Sequence, residues 1–175
     1  MTLPSPPGHK IGRIMLVLAW LAALGLLTLY FNAREQKQLN PNRQPGGFSD
    51  LDVTEVVLER NRAGHYVASG TINGEATVFL LDTGATDVVV SQDLAERIGL
   101  RAGARHYAQT ANGRIQVRST RLDSLELGKI TLRDVSASIN PAMSGNQVLL
   151  GMSALQQVEF TQRGNQLTLR YYHTD

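Results

Sequence analysis

Cysteine is absent from the 175 residues, which removes disulfides, thiolate nucleophiles and thiolate metal sites together. A domain of about 125 residues still buries an adequate core without such staples. Histidine is scarce as well: His9, His65, His106 and His173 are isolated, with no acidic partner at ligand spacing. Each reads as a surface or turn residue, and no metal or other cofactor is expected. Gly99, Gly103, Gly128 and Gly151 form no phosphate-binding fingerprint. Acidic residues are missing from the first 49 positions except for Glu35, against five Lys/Arg there, so the formal net charge of +2 conceals +4 up to residue 49 and −2 from Asp50 onward. The folded part is mildly acidic and leaves nucleic-acid binding without an electrostatic footprint.

What is present begins with one long apolar run. Ile14 to Phe31 gives 18 positions without a charge, and at ~1.5 Å per residue such a helix nearly crosses a ~30 Å hydrocarbon core. A cleaved signal peptide would have a shorter core and small residues at its exit, whereas this exit reads Leu29-Tyr30-Phe31-Asn32-Ala33-Arg34. A retained transmembrane helix over 14–31, after a tail at 1–13, is the expectation. Lys10, Arg13 and the amino terminus precede the span while Arg34, Lys37 and Arg43 follow it, so charge alone does not orient it.

Residues 32–50 are polar, with Asn40-Pro41-Asn42 and Pro45-Gly46-Gly47 and no hydrophobic periodicity. They read as a flexible linker with a reach of about 25 Å, ahead of a domain at 51–175. From there the chain is a series of short β-like runs. Val53–Leu58, His65–Ile72 and Ala76–Leu81 come first, the last two joined by Asn73-Gly74, a strong hairpin signal. Val88–Val90 follows, then a short helix from a Ser91 cap to Ile98. Arg114–Arg121, Ser124–Leu127, Ile130–Ala137 and Gln147–Leu150 read as strands, Met152–Val158 as a second short helix and Gln166–Tyr171 as a closing strand. The pattern is mainly β and favours a small barrel or sandwich.

The third run ends in Leu80-Leu81-Asp82-Thr83-Gly84-Ala85-Thr86, which occurs once. Hydrolysis by carboxylates needs one group to take a proton from water and another to give one to the carbonyl oxygen. Two carboxylates about 3 Å apart share one proton and divide those roles. There is no second Asp-Thr-Gly, and Asp123-Ser124-Leu125, the nearest echo, lacks the glycine. If the machinery is real, the second carboxylate is Asp82 of another copy. Thr83 then offers a hydroxyl across the twofold axis, and Gly84 and Ala85 leave room and N–H donors around the carboxylates. The plain alternative is an Asp-Gly turn. Asp87 and Asp93 are accounted for as a turn acid and a helix first-turn acid.

In order along the chain, Asp82-Thr83-Gly84-Ala85-Thr86, Thr110-Ala111-Asn112-Gly113 and Leu149-Leu150-Gly151-Met152 resemble the motifs of retropepsin-like (clan AA) aspartic peptidases, and more closely their membrane-anchored bacterial type. The resemblance spans most of Val53 to Tyr171. It implies a small closed acid-protease barrel with one or two short helices, preceded by a single transmembrane helix. It further implies Asp82 as the catalytic aspartate, Thr110, Ala111, Asn112, Gly113 and Ile115 as flap, and Leu149, Leu150 and Gly151 as the strand packed behind the active-site loop. Val89, Ile115 and Leu149 are candidate groove walls. Retroviral members usually carry an acidic residue where Thr86 stands and an arginine where Met152 stands, so the charged contacts that brace their dimers are not expected.

The implied protein is a homodimeric, membrane-anchored aspartic endopeptidase acting on a peptide or protein substrate, its domain outside the cytoplasm, in the periplasm beyond an inner membrane. The alternative keeps the fold without the chemistry, as a module that binds peptides or a membrane partner by strand addition.

Overall fold

The structure, a computed structural model, describes residues 8–110 and 113–173, with side chains from Ile11 onward. It divides into a helical unit and a compact folded unit that begins at Leu39. The first is α1, Gly8–Leu39, whose stretch from Ile11 to Leu39 is long and apolar enough to cross a membrane. It is the one such helix among the described residues.

The segment expected as a flexible linker is structured. Asn32 to Leu39 continues α1, because Ala33, Arg34, Glu35, Gln36, Lys37 and Gln38 favour helix even though all but the alanine are polar. Gly46–Ser49 then forms β1, an edge strand paired with β2, Val53–Glu59. Between them lies an amide clasp. Asn42 is 5% exposed; its side-chain NH2 donates to the carbonyls of Glu59 (2.8 Å) and Val67 (2.7 Å), and its Oδ1 accepts from Glu59 N–H (2.7 Å). Asn40 donates to Ser69 Oγ at 2.9 Å. Composition marked this segment as solvated, but its asparagines are buried through hydrogen bonds that the hydrophobic pattern does not register. Asn42→Ala leaves three backbone groups unpaired, and a loss of about 3 kcal/mol in urea unfolding is expected. Asn42→Asp should fare no better, since a carboxylate would face two carbonyl oxygens.

The remaining elements are β3 (Val67–Ile72), β4 (Glu75–Leu81), β5 (Val88–Ser91), α2 (Gln92–Arg97), β6 (Arg105–Thr110), β7 (Gly113–Leu127), β8 (Ile130–Asn140), β9 (Gln147–Leu150), α3 (Met152–Leu155), β10 (Glu159–Arg163) and β11 (Gln166–Tyr172). Strands β3, β4, β9, β5, β8 and β7 neighbour one another in that order, and β7 returns to β3 through Gly70 to Ile72 against Leu125 to Leu127. The sheet therefore closes into a barrel. β6 extends it beyond β7, and β1-β2-β11-β10 forms a second, antiparallel sheet.

Local sequence explains the joints. Asn73 and Gly74 turn β3 into β4 with φ of 49° and 82°, the left-handed pair that a two-residue hairpin requires. Ser91 Oγ accepts from Leu94 N–H at 3.1 Å and caps α2. β7 is one long strand, not the two short ones expected; its pairing with β8 passes from Leu122↔Val135 to Ser124↔Arg133, skipping Asp123 and Asp134. Asp134 takes φ of 54° there, and Arg121, hydrogen-bonded to it, holds its carboxyl below the ordinary range.

Alternation along the strands supplies the core. Val56, Leu58, Phe79, Val88, Val90, Leu122, Val135, Val148, Leu167 and Leu169 from both sheets meet in one cluster, joined by Leu94 of α2 and Leu155 of α3. Its apolar burial stabilises by roughly 25 cal/mol per Å².

Candidate active site

β4 delivers Asp82. Its apolar residues pair in parallel with β9, Leu80 against Leu149 and Leu81 against Leu150, so the carboxylate stands at the carboxyl end of an interior strand of the sheet. Asp82 N–H donates to the Leu150 carbonyl at 3.1 Å, and Ala85 N–H donates back to the Asp82 carbonyl at 3.2 Å. The carboxylate Oδ1 accepts from Gly84 N–H at 2.9 Å. Its Oδ2 has no protein partner among the described residues.

The loop is half open. Asp82 and Ala85 are half-buried, whereas Thr83 and Gly84 are exposed, and the Thr83 hydroxyl makes no hydrogen bond among the described residues. Leu149, half-buried, also faces Val89 of β5. Leu150 and Gly151 are buried behind the loop.

The back of the loop is fastened by backbone and hydroxyl groups. Met152 N–H donates to the Ala85 carbonyl at 2.8 Å, and Ser153 N–H donates to that of Thr86 at 2.9 Å. Ser153 Oγ accepts from Val88 N–H (2.9 Å) and donates to the Ser136 carbonyl (2.7 Å). Ser138 Oγ donates to Asp87 at 2.8 Å. Gly151 is indispensable to this packing, because a Cβ there would lie 2.0 Å from the Asp87 carbonyl oxygen and 2.7 Å from that of Ala85. Thus Thr86 and Met152 take part through their main chains. Ser136, Ser138 and Ser153 were not singled out in the sequence, and the only signal was hydroxyl residues at apolar-rich positions of β8 and α3.

The hairpin expected as a flap exists as β6 and β7. Tyr107 pairs with Gln116, Ala108 with Ile115 and Thr110 with Gly113; Thr110 Oγ1 donates to the Gly113 carbonyl at 2.7 Å. Ala111 and Asn112 lie outside the described residues. Ile115 is half-buried. Among the described residues, no hydrogen bond joins this hairpin to the Asp82 loop.

Chemically, Asp82 can orient a water or take a proton from it, but one carboxylate cannot hold both roles of the acid/base pair. Asp87 is committed to Ser138, Asp93 stands in the first turn of α2, and Asp123 is exposed at the register break of β7. Among the described residues, no group of three His, Asp or Glu is placed to hold a metal.

Residues 68–157 match the model of the gag-polyprotein putative aspartyl protease family. An uncharacterised protein of Sinorhizobium is 36% identical over 176 residues, covering 93% of this chain and 76% of that one. An uncharacterised protein of Rickettsia prowazekii is 27% identical over 111 residues, covering 61% of this chain and 46% of its own length. Among solved structures, a retropepsin-like aspartic protease from Rickettsia conorii superposes with a TM-score of 0.58 at 25% identity, over 73% of this chain and 99% of that one.

Proposed function

The chain belongs to the gag-polyprotein aspartyl protease family, and from that premise we propose that it is a membrane-anchored aspartic endopeptidase whose site is completed by Asp82 of a second copy. The observation that carries this reading is the Asp82 carboxylate itself: fixed through Oδ1 to Gly84 N–H, at the end of an interior strand, with Oδ2 left to a reactant. The exposed Thr83 and Gly84 supply the surface at which a second loop would meet it.

In the paired site, one Asp82 takes a proton from a water held between the carboxylates as that water attacks the scissile carbonyl. The other, protonated, gives its proton to the carbonyl oxygen. Thr83 of each copy supports the meeting of the two loops, and the hairpin at Thr110, Gly113 and Ile115 covers an extended peptide and excludes water. Val89 and Leu149 line the groove. Two anchors in one membrane raise the effective concentration of the domains, which offsets the lost charged brace at Thr86 and Met152. The domain is assigned to the periplasmic side of an inner membrane, and protease accessibility of tags at either end checks that orientation.

The test is the rate of cleavage of an unstructured polypeptide between about pH 3 and about pH 7, at several protein concentrations in detergent. A shared-proton pair gives a bell-shaped profile, and specific activity rises with protein concentration until the dimer saturates. A single-carboxylate titration with concentration-independent specific activity would remove the paired site.

A further inference from the structure

From Arg97 to Arg121 the chain has six arginines and no aspartate or glutamate, while the rest of the sequence from Asp50 onward holds 14 Asp/Glu. Arg97 pairs with Glu75 and Arg121 with Asp134. Among the described residues, Arg101, Arg105, Arg114 and Arg118 have no carboxylate partner. Three of these four share one face of the β6–β7 hairpin, because the register sets Arg105 against Arg118, Tyr107 against Gln116 and Gln109 against Arg114. Arg114 lies over the Tyr107 ring at 4.1 Å from its centroid.

Like charges directly opposed on neighbouring strands destabilise the pair, so the Arg105/Arg118 juxtaposition costs the unliganded protein and is relieved by an anion. Arg105 and Arg118 also line a cavity of about 410 Å³, together with residues of α2. Ala95, Leu100 and Ile139 give it an apolar floor, and Gln92 and Gln116 bring amides to it. No residue of the Asp82 loop lines it.

We propose that this groove docks an extended acidic polypeptide segment, one that alternates Asp or Glu with aliphatic residues. Arginine forks hold carboxylates in bidentate geometry, and the aliphatic side chains of such a segment cover Leu100 and Ile139. The concavity selects a peptide over a flat lipid surface, whose headgroups would meet the arginines without reaching the floor. Glu96, which receives a hydrogen bond from Gln92 at 2.8 Å, lies across the groove. It repels acid on its own side, so the ligand presents carboxylates along one edge only. Docking requires nothing of Asp82 and stands or falls apart from catalysis.

The experiment uses the full chain in zwitterionic detergent, carrying Asp82→Asn so that nothing is cut. Fluorescence anisotropy of a labelled peptide alternating Glu and Leu should show saturable binding that weakens with added salt. Arg105→Gln with Arg118→Gln should reduce affinity roughly ten- to a hundredfold. The Lys/Lys double variant should lose less, and Arg163→Gln, on β10, should leave it within about twofold for want of any contact with the groove. Because the Gln pair removes a repulsion, its melting temperature should not fall; if it does, the Lys/Lys variant and a Lys/Leu peptide carry the test. Equal binding of the Lys/Leu peptide, or unchanged binding by the double variant, overturns the proposal. So does displacement of the acidic peptide by phosphatidylserine micelles with the same arginine dependence, which would assign the face to a membrane.

Discussion

Replacement of Asp82 by Asn is expected to abolish cleavage while leaving the fold intact. Asn keeps the shape of Asp and an oxygen that can still accept from Gly84 N–H, the one hydrogen bond the side chain makes among the described residues, so the loop has no reason to rearrange. What it loses is the ionisable carboxyl that can take up and release a proton. General acid/base assistance is worth about 10²- to 10⁴-fold, and in a homodimer the substitution strikes both partners at once, so turnover should fall by at least about 10⁴-fold. Mixing is more diagnostic than loss alone. When wild-type and Asp82→Asn chains exchange freely, activity from a shared site follows the square of the wild-type fraction, and an equal mixture keeps about a quarter of the starting activity. An equal mixture that kept half would show that each chain works by itself.

The second large effect is expected at Gly151. An alanine there places its Cβ 2.0 Å from the Asp87 carbonyl oxygen and 2.6 Å from its carbon. Both are main-chain atoms, with no flexible side chain to swing aside, so the loop between Asp82 and Val88 must move off β9 and α3. Overpacking of this kind costs about 3 kcal/mol or more, read as a lower denaturant midpoint, and cleavage should be lost even in the molecules that still fold. Gly46→Ala is the control. A Cβ there meets nothing within 4 Å, and its midpoint should shift by less than about 0.5 kcal/mol.

Much of this was legible in the residues. The Asn73-Gly74 turn, the apolar approach to Asp82 and the Ser91 cap each follow from local chemistry, and the structure has them where that chemistry places them. The missed pieces have a common character. β1, with Gly46-Gly47-Phe48-Ser49, and β10, with Glu159-Phe160-Thr161-Gln162-Arg163, are edge strands without a β-branched run, and their partners rather than their composition make them strands. Asn42 substitutes amide hydrogen bonds for hydrophobic burial. At the candidate site, Asp82 and Gly151 are conspicuous as motif residues. Ser153 and Ser138 are not, since their roles exist only once α3 and β8 are brought against the Asp82 loop.

The order of the strands has a temporal consequence. β2 lies between β1 and β11, and Arg170 of β11 bonds Glu55 of β2 at 2.7 Å. The Asp82 loop likewise leans on β9 and α3, which are translated well after it. A chain emerging amino end first therefore completes its apolar helix long before it can assemble the barrel. During that interval Asp82 is synthesised but not yet shaped into a tool. On the proposed function, the site is thereby unarmed while neighbouring nascent chains of the same protein are still unfolded.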